Sequence, residues 1–376
     1  MTCAVSRSGE SDLGHLDSCL DRRSAGGLVH RLTVDRERAS LADMGNEKRS
    51  DAAMEISDQA KDRFDARASL WSTYDERSPL DHAEADREPH RLAELWKDSA
   101  ARLLKITSDG QTCGLKSATS PLESLNQESD FNIAQEAGVV FLGKVDDQPW
   151  FAVRDDLAAK SCAHLQNIRT PDLDDLSRHL LVTAHAILNW REATQFCSRC
   201  GASLRPIKGG FAADCPSCQR QHFPRTDPAI IVAVLNERDE LYLAHQSTWP
   251  ATRMSLLAGF VEAGESLVAA CHREIAEEAS LELSSVRYLS SQPWPFPRSL
   301  MVGFVARSVG GFAGGDAAGH VDGVELDRGA FFSRADVDQQ LGTGELSLPG
   351  PGSIAHRIIA AWRADKLLDP DQSPAT

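Results

Sequence analysis

The sequence predicts a multidomain chain of mixed α and β structure, α+β overall with α/β parts. An N-terminal α/β domain comes first, then a small cysteine-rich module, then a C-terminal α/β layered domain. Three observations lead there. At 376 residues the chain is too long for one ordinary core. Four of its nine cysteines fall in two C-x-x-C pairs between Cys197 and Cys218. From Asp227 onward, strand-like apolar runs alternate with segments of helical periodicity.

Composition narrows the function classes. Hydrophobic residues make up 41% and charged residues 25%, which is ordinary for a soluble globular chain. No run of eighteen apolar residues reads as a membrane span, and the N-terminus lacks the apolar core of a signal peptide. No membrane partner and a cytoplasmic address are the default expectations. A net charge of -15 makes the whole chain a poor general binder of polyanions, although metal ions and a few arginines can reverse the sign locally. Nine cysteines without an export signal argue against a disulfide framework.

The segments follow in order. Residues 1–75 are rich in Arg, Asp, Glu, Ser and Ala, with Phe64 the sole aromatic before Trp71, and are expected to form a disordered extension. A first domain is expected at 76–193. In it, residues 91–106 carry apolar residues at helical spacing, Val139–Gly143 and Trp150–Val153 read as strands around a turn at Asp146–Pro149, and residues 172–191 read as a helix with Leu176, Leu180, Ala184, Ile187 and Leu188 on one face. No chemistry is evident there. The cysteine module spans 194–225 and the last domain 226–370. That domain opens on the near-continuous apolar run Ala229–Leu235, the signature of a strand buried on both faces. A second strand at Leu241–Ala244, an acidic helix at 266–279, strands at about 286–292 and 299–308, and an amphipathic helix at 352–366 complete it.

Cys197 and Cys200 are separated from Cys215 and Cys218 by the 14 residues 201–214. This spacing points to a structural four-thiolate zinc site: soft ligands fill a tetrahedron, leave no open position, and let the metal supply folding energy to a module too short for its own core. A redox C-x-x-C pair and iron at the same ligands are the alternatives. Cys3, Cys19, Cys113, Cys162 and Cys271 are scattered and receive no role, Cys271 reading as packing.

The acidic helix carries the chemistry. Glu274 and Glu278 are four apart and lie about 40° from each other around the axis, with Glu277 flanking the same face. Carboxylates so close are best tolerated where a hard divalent cation, Mg²⁺ or Mn²⁺, neutralises them. Arg273 can pair with a neighbouring carboxylate and hold its orientation. A solvated face with a Glu-Glu pair is common, so the helix alone decides little. The full pattern decides more: Gly259, Glu265, Arg273, Glu274, Ile275, Glu277, Glu278 and Leu281 fit G-x5-E-x7-R-E-U-x-E-E-x-G-U, where U is bulky and apolar. Average composition would produce this by chance on the order of once in 10⁵ such chains or less. The pattern is the Nudix box, and it implies an αβα sandwich with a mixed sheet and metal-dependent attack of water on a diphosphate. The box departs at Ser280, where glycine would suit a left-handed helix end. Serine there costs on the order of 1 kcal/mol.

After the box comes Ser291-Gln292-Pro293-Trp294-Pro295-Phe296-Pro297-Arg298-Ser299. Three prolines are expected to keep this loop out of the sheet. Trp294 and Phe296 could stack on a flat ring and Arg298 could reach phosphate; a proline-rich docking segment or a core-packed loop is the equal alternative. This array resembles the one that distinguishes NADH pyrophosphatases among Nudix hydrolases. The cysteine pairs, His222–Pro228, Phe141-Leu142-Gly143 and Pro149–Val153 resemble the same family, over about residues 76–366. The resemblance implies hydrolysis of NADH or NAD to nicotinamide mononucleotide and AMP, with Mg²⁺ or Mn²⁺ for catalysis, structural zinc and a homodimer. Members are also associated with removing NAD caps from RNA. Carried over by position, Arg273, Glu274, Glu277 and Glu278 would be catalytic. The metal would bind the carbonyl of Ala258, Glu274, Glu278 and Glu325, the last an ordinary surface residue on sequence alone. Gln292, Pro293, Trp294, Pro295, Phe296, Pro297, Arg298, Ser299 and Ala355 would contact substrate, with Phe260 and Phe223 flanking the nicotinamide ring. Many members have tyrosine at position 223.

Three readings remain. The first is an NADH/NAD diphosphatase. The second removes NAD caps from RNA by the same chemistry, favoured by five basic residues (Arg199, Arg205, Lys208, Arg220, Arg225) against one acid (Asp214) in residues 197–225. The third is a non-catalytic zinc-ribbon nucleotide sensor, which an intact carboxylate set argues against.

Overall fold

A computed structural model describes residues 78–113, 131, 135, 138–157, 165–169, 173–309, 321 and 323–367. The expected extension at 1–75 lies outside them, as do Cys3, Cys19 and Cys162.

The first helix, α1 (Pro89–Trp96), is shorter than the apolar spacing of residues 91–106 suggests. Lys97 ends it. Asp98 then turns the chain, its side chain accepting from the amide of Ala100 at 2.8 Å and its carbonyl from Ala101 at 3.0 Å. The remainder, β1 (Arg102–Ile106), is a strand running parallel to β4. Aspartate satisfies its own turn better than a helix interior, and the leucines after it are buried by sheet pairing instead. Strand β2 (Thr112–Cys113) pairs with β5 (Leu165–Gln166), and Cys113 is disulfide-bonded. Strands β3 (Val140–Val145) and β4 (Gln148–Arg154) form the expected hairpin. Its turn is the pair Asp146-Asp147, both at positive φ (48° and 63°), the conformation that matches strand twist in two-residue hairpins. Helix α2 (Asp175–Ala193) is capped by Asp174, which accepts from the amide of Ser177. Along β3, Val140 and Leu142 meet Leu180, Leu181, Ala184, Ile187 and Leu188 of α2, while Phe141 faces Leu92, Leu95 and Trp96 of α1. The strand period of two thus divides the apolar residues between two helices.

A three-stranded antiparallel sheet follows: β6 (Arg205–Ile207), β7 (Ala212–Asp214) and β8 (Gln221–His222).

The last part is a six-stranded mixed sheet. Its members are β9 (Asp227–Leu235), β10 (Leu241–Gln246), β11 (Leu257–Phe260), β12 (Leu283–Trp294), β13 (Ser299–Ser308) and β14 (Leu326–Phe332). The order is β12-β13-β9-β10-β14, with β11 also on β9, and β13 runs parallel to β9. The apolar run in β9 divides between two cores. Ile230, Val232 and Val234 pack with Ala270, Cys271 and Ile275 of α3 (Leu267–Ala279). Ile231, Ala233 and Leu235 pack with Val337 of α4 (Arg334–Thr343) and Ile354, Ile358 and Trp362 of α5 (Ile354–Arg363). Helices therefore cover both faces, as the uninterrupted hydrophobicity of this strand requires.

The proline loop departs from expectation. Strand β12 continues through Gln292, Pro293 and Trp294, which stand opposite Met301, Leu300 and Ser299 of β13. Only Pro295 to Arg298 form the turn. The reason is position: β12 is the outermost strand, so a proline can sit in it without breaking a ladder to a further neighbour.

Candidate active site and thiolate centre

Ser266 starts α3 by accepting from the amide of Ala269 at 3.1 Å. Ser280 ends it in the left-handed conformation (φ 53°, ψ 33°). The amide of Ser280 donates to Ala276 and that of Leu281 to Ile275, so two terminal carbonyls are satisfied in the pattern glycine normally serves. Between these ends, Ala270, Cys271 and Ile275 anchor the helix to the sheet. Burial pushes the Cys271 thiol up to about 12, consistent with packing alone.

Arg273 organises the acidic face. Its guanidinium pairs with Glu265 through two bonds of 2.9 Å, with Glu274 at 2.9 Å and with Glu277 at 3.1 Å, and donates to the carbonyl of Phe260 at 2.9 Å. These partners hold the guanidinium charged and raise its pKa, Glu265 contributing most. Arg273 in turn holds the Glu265 carboxyl below its usual range, helped by the amide of Glu262. Glu278 is buried, and its charge together with burial pushes the buried Tyr242 phenol up to about 12, burial being the larger cause.

Strand β11 runs beside this face. At Gly259 a β-carbon would overlap the carboxyl group of Glu274, so a larger residue there would require that side chain to move. A cavity of about 460 Å³ opens here. It brings together Ala258, Phe260, Arg273, Glu274, Ser299 and Glu325 of the expected residues, and adds Ala229, Gly259, Glu262 and Met301. Phe260 is 59% exposed, its ring free to meet a ligand. Glu325 is exposed just before β14, a strand tied down by His245 to Asp327 at 2.5 Å.

The other expected residues lie elsewhere or are otherwise engaged. Glu277 points outward, paired with Arg273. The Gln292 side chain is buried, donating to the carbonyl of Gly352 at 2.8 Å and accepting from the amide of Ile354 at 2.6 Å. Trp294 and Phe296 pack on the core of α2, with the Arg169 guanidinium over both rings at 5.4 and 4.5 Å. The carbonyls of Pro295 and Pro297 accept from Asn189, and Arg298 pairs with Asp227 at 2.7 Å. Pro293 lies in β12. Ala355 is buried in the α5 core, and Phe223, 45% exposed, follows β8. Asn189, Arg169 and His185, which touch this turn, left no sequence signal, because these residues carry no motif.

The thiolates do converge. Cys197 and Cys218 sulfurs are 3.6 Å apart, Cys200 and Cys215 3.4 Å, and all four lie within 4.8 Å of one another. A tetrahedron with zinc–sulfur bonds of about 2.3 Å has edges of about 3.8 Å, so the cage suits zinc. The amide of Arg199 bonds the Cys197 sulfur and brings its pKa down to about 5. That of Cys218 lowers Cys215 in the same way. Both favour the thiolate that a metal needs.

Among the described residues no carboxylate set gathers within 4.8 Å as the thiols do. An all-oxygen donor set of Glu274, Glu278, Glu325 and the Ala258 carbonyl nonetheless suits a hard divalent ion, which keeps several waters and needs no closed cage. The Gly259 cradle holds one of those donors at the cavity wall.

A glutamate helix seated on a mixed sheet behind a thiolate module is the arrangement of a Nudix hydrolase. The NUDIX domain profile matches residues 225–347 and the NADH pyrophosphatase zinc ribbon domain profile residues 192–223. The NAD-capped RNA hydrolase NudC of Mycobacterium bovis (strain BCG / Pasteur 1173P2) is 40% identical over 248 residues, covering 60% of this chain and 75% of the relative. The NudC protein of Deinococcus radiodurans is 35% identical over 216 residues, covering 56% and 75%. Nudix hydrolase 19, chloroplastic, of Arabidopsis thaliana is 34% identical over 225 residues, covering 48% and 50%. A solved Nudix hydrolase from Nitrosomonas europaea is 22% identical and covers 38% of this chain and 80% of its own, with a TM-score of 0.32. The chain belongs to the NudC-type Nudix hydrolases that carry an NADH pyrophosphatase zinc ribbon.

Proposed function

We propose that this protein hydrolyses the diphosphate of NADH or NAD to nicotinamide mononucleotide, reduced or oxidised, and AMP. The observation that carries the reading is a single cavity with Glu274, Arg273, Glu325 and Ala258 on its wall and the exposed ring of Phe260 among them. Glu274, Glu278, Glu325 and the Ala258 carbonyl would hold Mg²⁺ or Mn²⁺. Bound there, the ion would screen the diphosphate charge, lower the pKa of the attacking water and stabilise the leaving phosphate. Arg273 fixes the direction of Glu274, and Phe260 offers a face to the nicotinamide ring, with Phe223 as the second flanking residue that the family resemblance implies. The protein would act as a homodimer, as the family resemblance implies, with the cytoplasm as its default address. Purified protein with Mn²⁺ or Mg²⁺ should release AMP from NADH, and Glu278→Gln should abolish it. A wild-type protein inert on NADH, NAD and NAD-capped RNA alike would defeat the proposal.

One observation favours capped RNA as a second substrate. Arg199, Arg205, Lys208, Arg220 and Arg225 are all exposed, and none forms an ion pair among the described residues. Unpaired cations suit phosphates, so hydrolysis of capped RNA should fall more steeply with salt than hydrolysis of NADH. Equal salt dependence would leave the ribbon without this role.

A further inference from the structure

The first domain carries no motif, yet its long helix is fastened to the proline hairpin. The Asn189 amide nitrogen, near the end of α2, donates to the carbonyl of Pro295 at 3.0 Å and to that of Pro297 at 3.3 Å. The two prolines of the turn provide no N–H, and the amide of Phe296 is given to the carbonyl of Trp294 at 2.8 Å. Asn189 is itself held: Arg154 donates to its side-chain oxygen, and Arg154 also bonds Glu192 at 2.9 Å and the carbonyl of Thr107 at 2.6 Å. That network fixes which end of the amide faces the hairpin, since the oxygen must meet the guanidinium. Two further contacts close on the same turn. Arg169 lies over Trp294 and Phe296, and the His185 ring stands 4.8 Å from Phe296.

The turn also reaches the cavity. Ser299 follows it directly and lines the cavity together with Met301. Arg298, at the end of the turn, pairs with Asp227, at the head of the strand that supplies Ala229 to the same wall. A shift of the hairpin is therefore passed to two sides of the cavity.

The geometry points to Asn189 as a positioning residue that aims the 295–298 turn and thereby sets discrimination between dinucleotides at the cavity. Trp294 and Phe296 serve as the anchor of this clamp rather than as a stacking platform, because the Arg169 guanidinium and the α2 core already engage their rings. The inference rests on the NADH/NAD reading above.

The test compares NADH with ADP-ribose, which lacks the nicotinamide. Asn189→Ala removes donor and acceptor. Asn189→Asp keeps the acceptor for Arg154, removes the donor and sets a negative charge against the two carbonyls. Both should lower the NADH:ADP-ribose ratio of kcat/KM about tenfold, which corresponds to roughly 1.4 kcal/mol. The loss should appear in KM for NADH, with kcat within about twofold. Arg169→Gln, at an exposed position, should give a smaller shift in the same direction and covers the case in which the Asn189 variants do not fold. A ratio unchanged within twofold in whichever of these variants fold overturns the inference. A wild type without NADH activity defeats the functional reading instead, so the two failures are distinct.

Discussion

Gly259 and Glu274 occupy one another's space: a β-carbon on the first would fall inside the carboxyl group of the second. The carboxylate is therefore placed by what strand β11 lacks as much as by the helix that bears it. Gly259→Ala should push Glu274 off its line and lower kcat by about 10- to 100-fold, as disturbance of ligand-orienting contacts does. Helix α3 should survive, since its buried residues are untouched. Circular dichroism with a Mn²⁺ titration and AMP-release kinetics checks this. A variant that binds Mn²⁺ and turns over like wild type would show that the close approach is unimportant.

Ser280 bears a left-handed backbone without being glycine. Ser280→Gly should stabilise the protein by about 0.5–1 kcal/mol and leave kcat unchanged. Differential scanning calorimetry should show a rise of a few degrees at most. A fall in melting temperature would mean that the serine side chain contributes something the backbone geometry does not reveal.

His185 is buried, and burial, followed by the nearby Arg154, lowers its pKa to about 4. The imidazole nitrogen Nδ1 sits 3.3 Å from the Arg154 guanidinium, so the neutral ring accepts and the protonated ring is repelled. The folded value lies below the unfolded one of about 6.5, so the unfolded state binds more protons between those values. The contribution is complete above pH 6.5 and is lost progressively as pH falls towards 4. In His185→Gln the melting temperature should decline less across that window than in wild type. Parallel melting curves would rule out His185 as a source of acid sensitivity.

The thiolate cage should be a single unit. Cys200→Ser replaces one soft ligand and should cut zinc content well below one ion per chain while destabilising β6 to β8. Metal analysis and hydrogen exchange limited to residues 197–222 would report it. Full zinc occupancy with unchanged exchange would count against a structural role.

Sequence reading reached different depths in different places. The thiolates and the acidic helix were legible because both depend on short spacings, C-x-x-C and i, i+4, that local geometry turns directly into proximity. The double-sided strand β9 was legible from its unbroken apolar run. The misread stretch after Trp96 shows the limit: Leu103, Leu104 and Ile106 suit either period, and pairing with β4, some fifty residues on, decided for strand. Pro293 was misjudged for a related reason. Whether a proline breaks a sheet depends on whether its strand has an outer neighbour, which is a property of the whole sheet. The cavity residues Ala229 and Met301 and the Asn189 contact arise from chain crossings that no spacing encodes. Helix α4 and strand β14 were not anticipated, α4 having little apolar periodicity, with Val337 as its one buried residue.

Strand β9 belongs to two cores at once. Its alternate residues answer to different helices, so consecutive substitutions are felt on opposite sides of the sheet. Changes at Ile230, Val232 or Val234 press on Ile275 and hence on the scaffold of the carboxylates. Changes at Ile231, Ala233 or Leu235 press on α5, away from them. Mutational noise is sorted by parity along one strand: even positions reach the site through the glutamate helix, while odd positions reach it only through Met301 and Ala229 on the cavity wall.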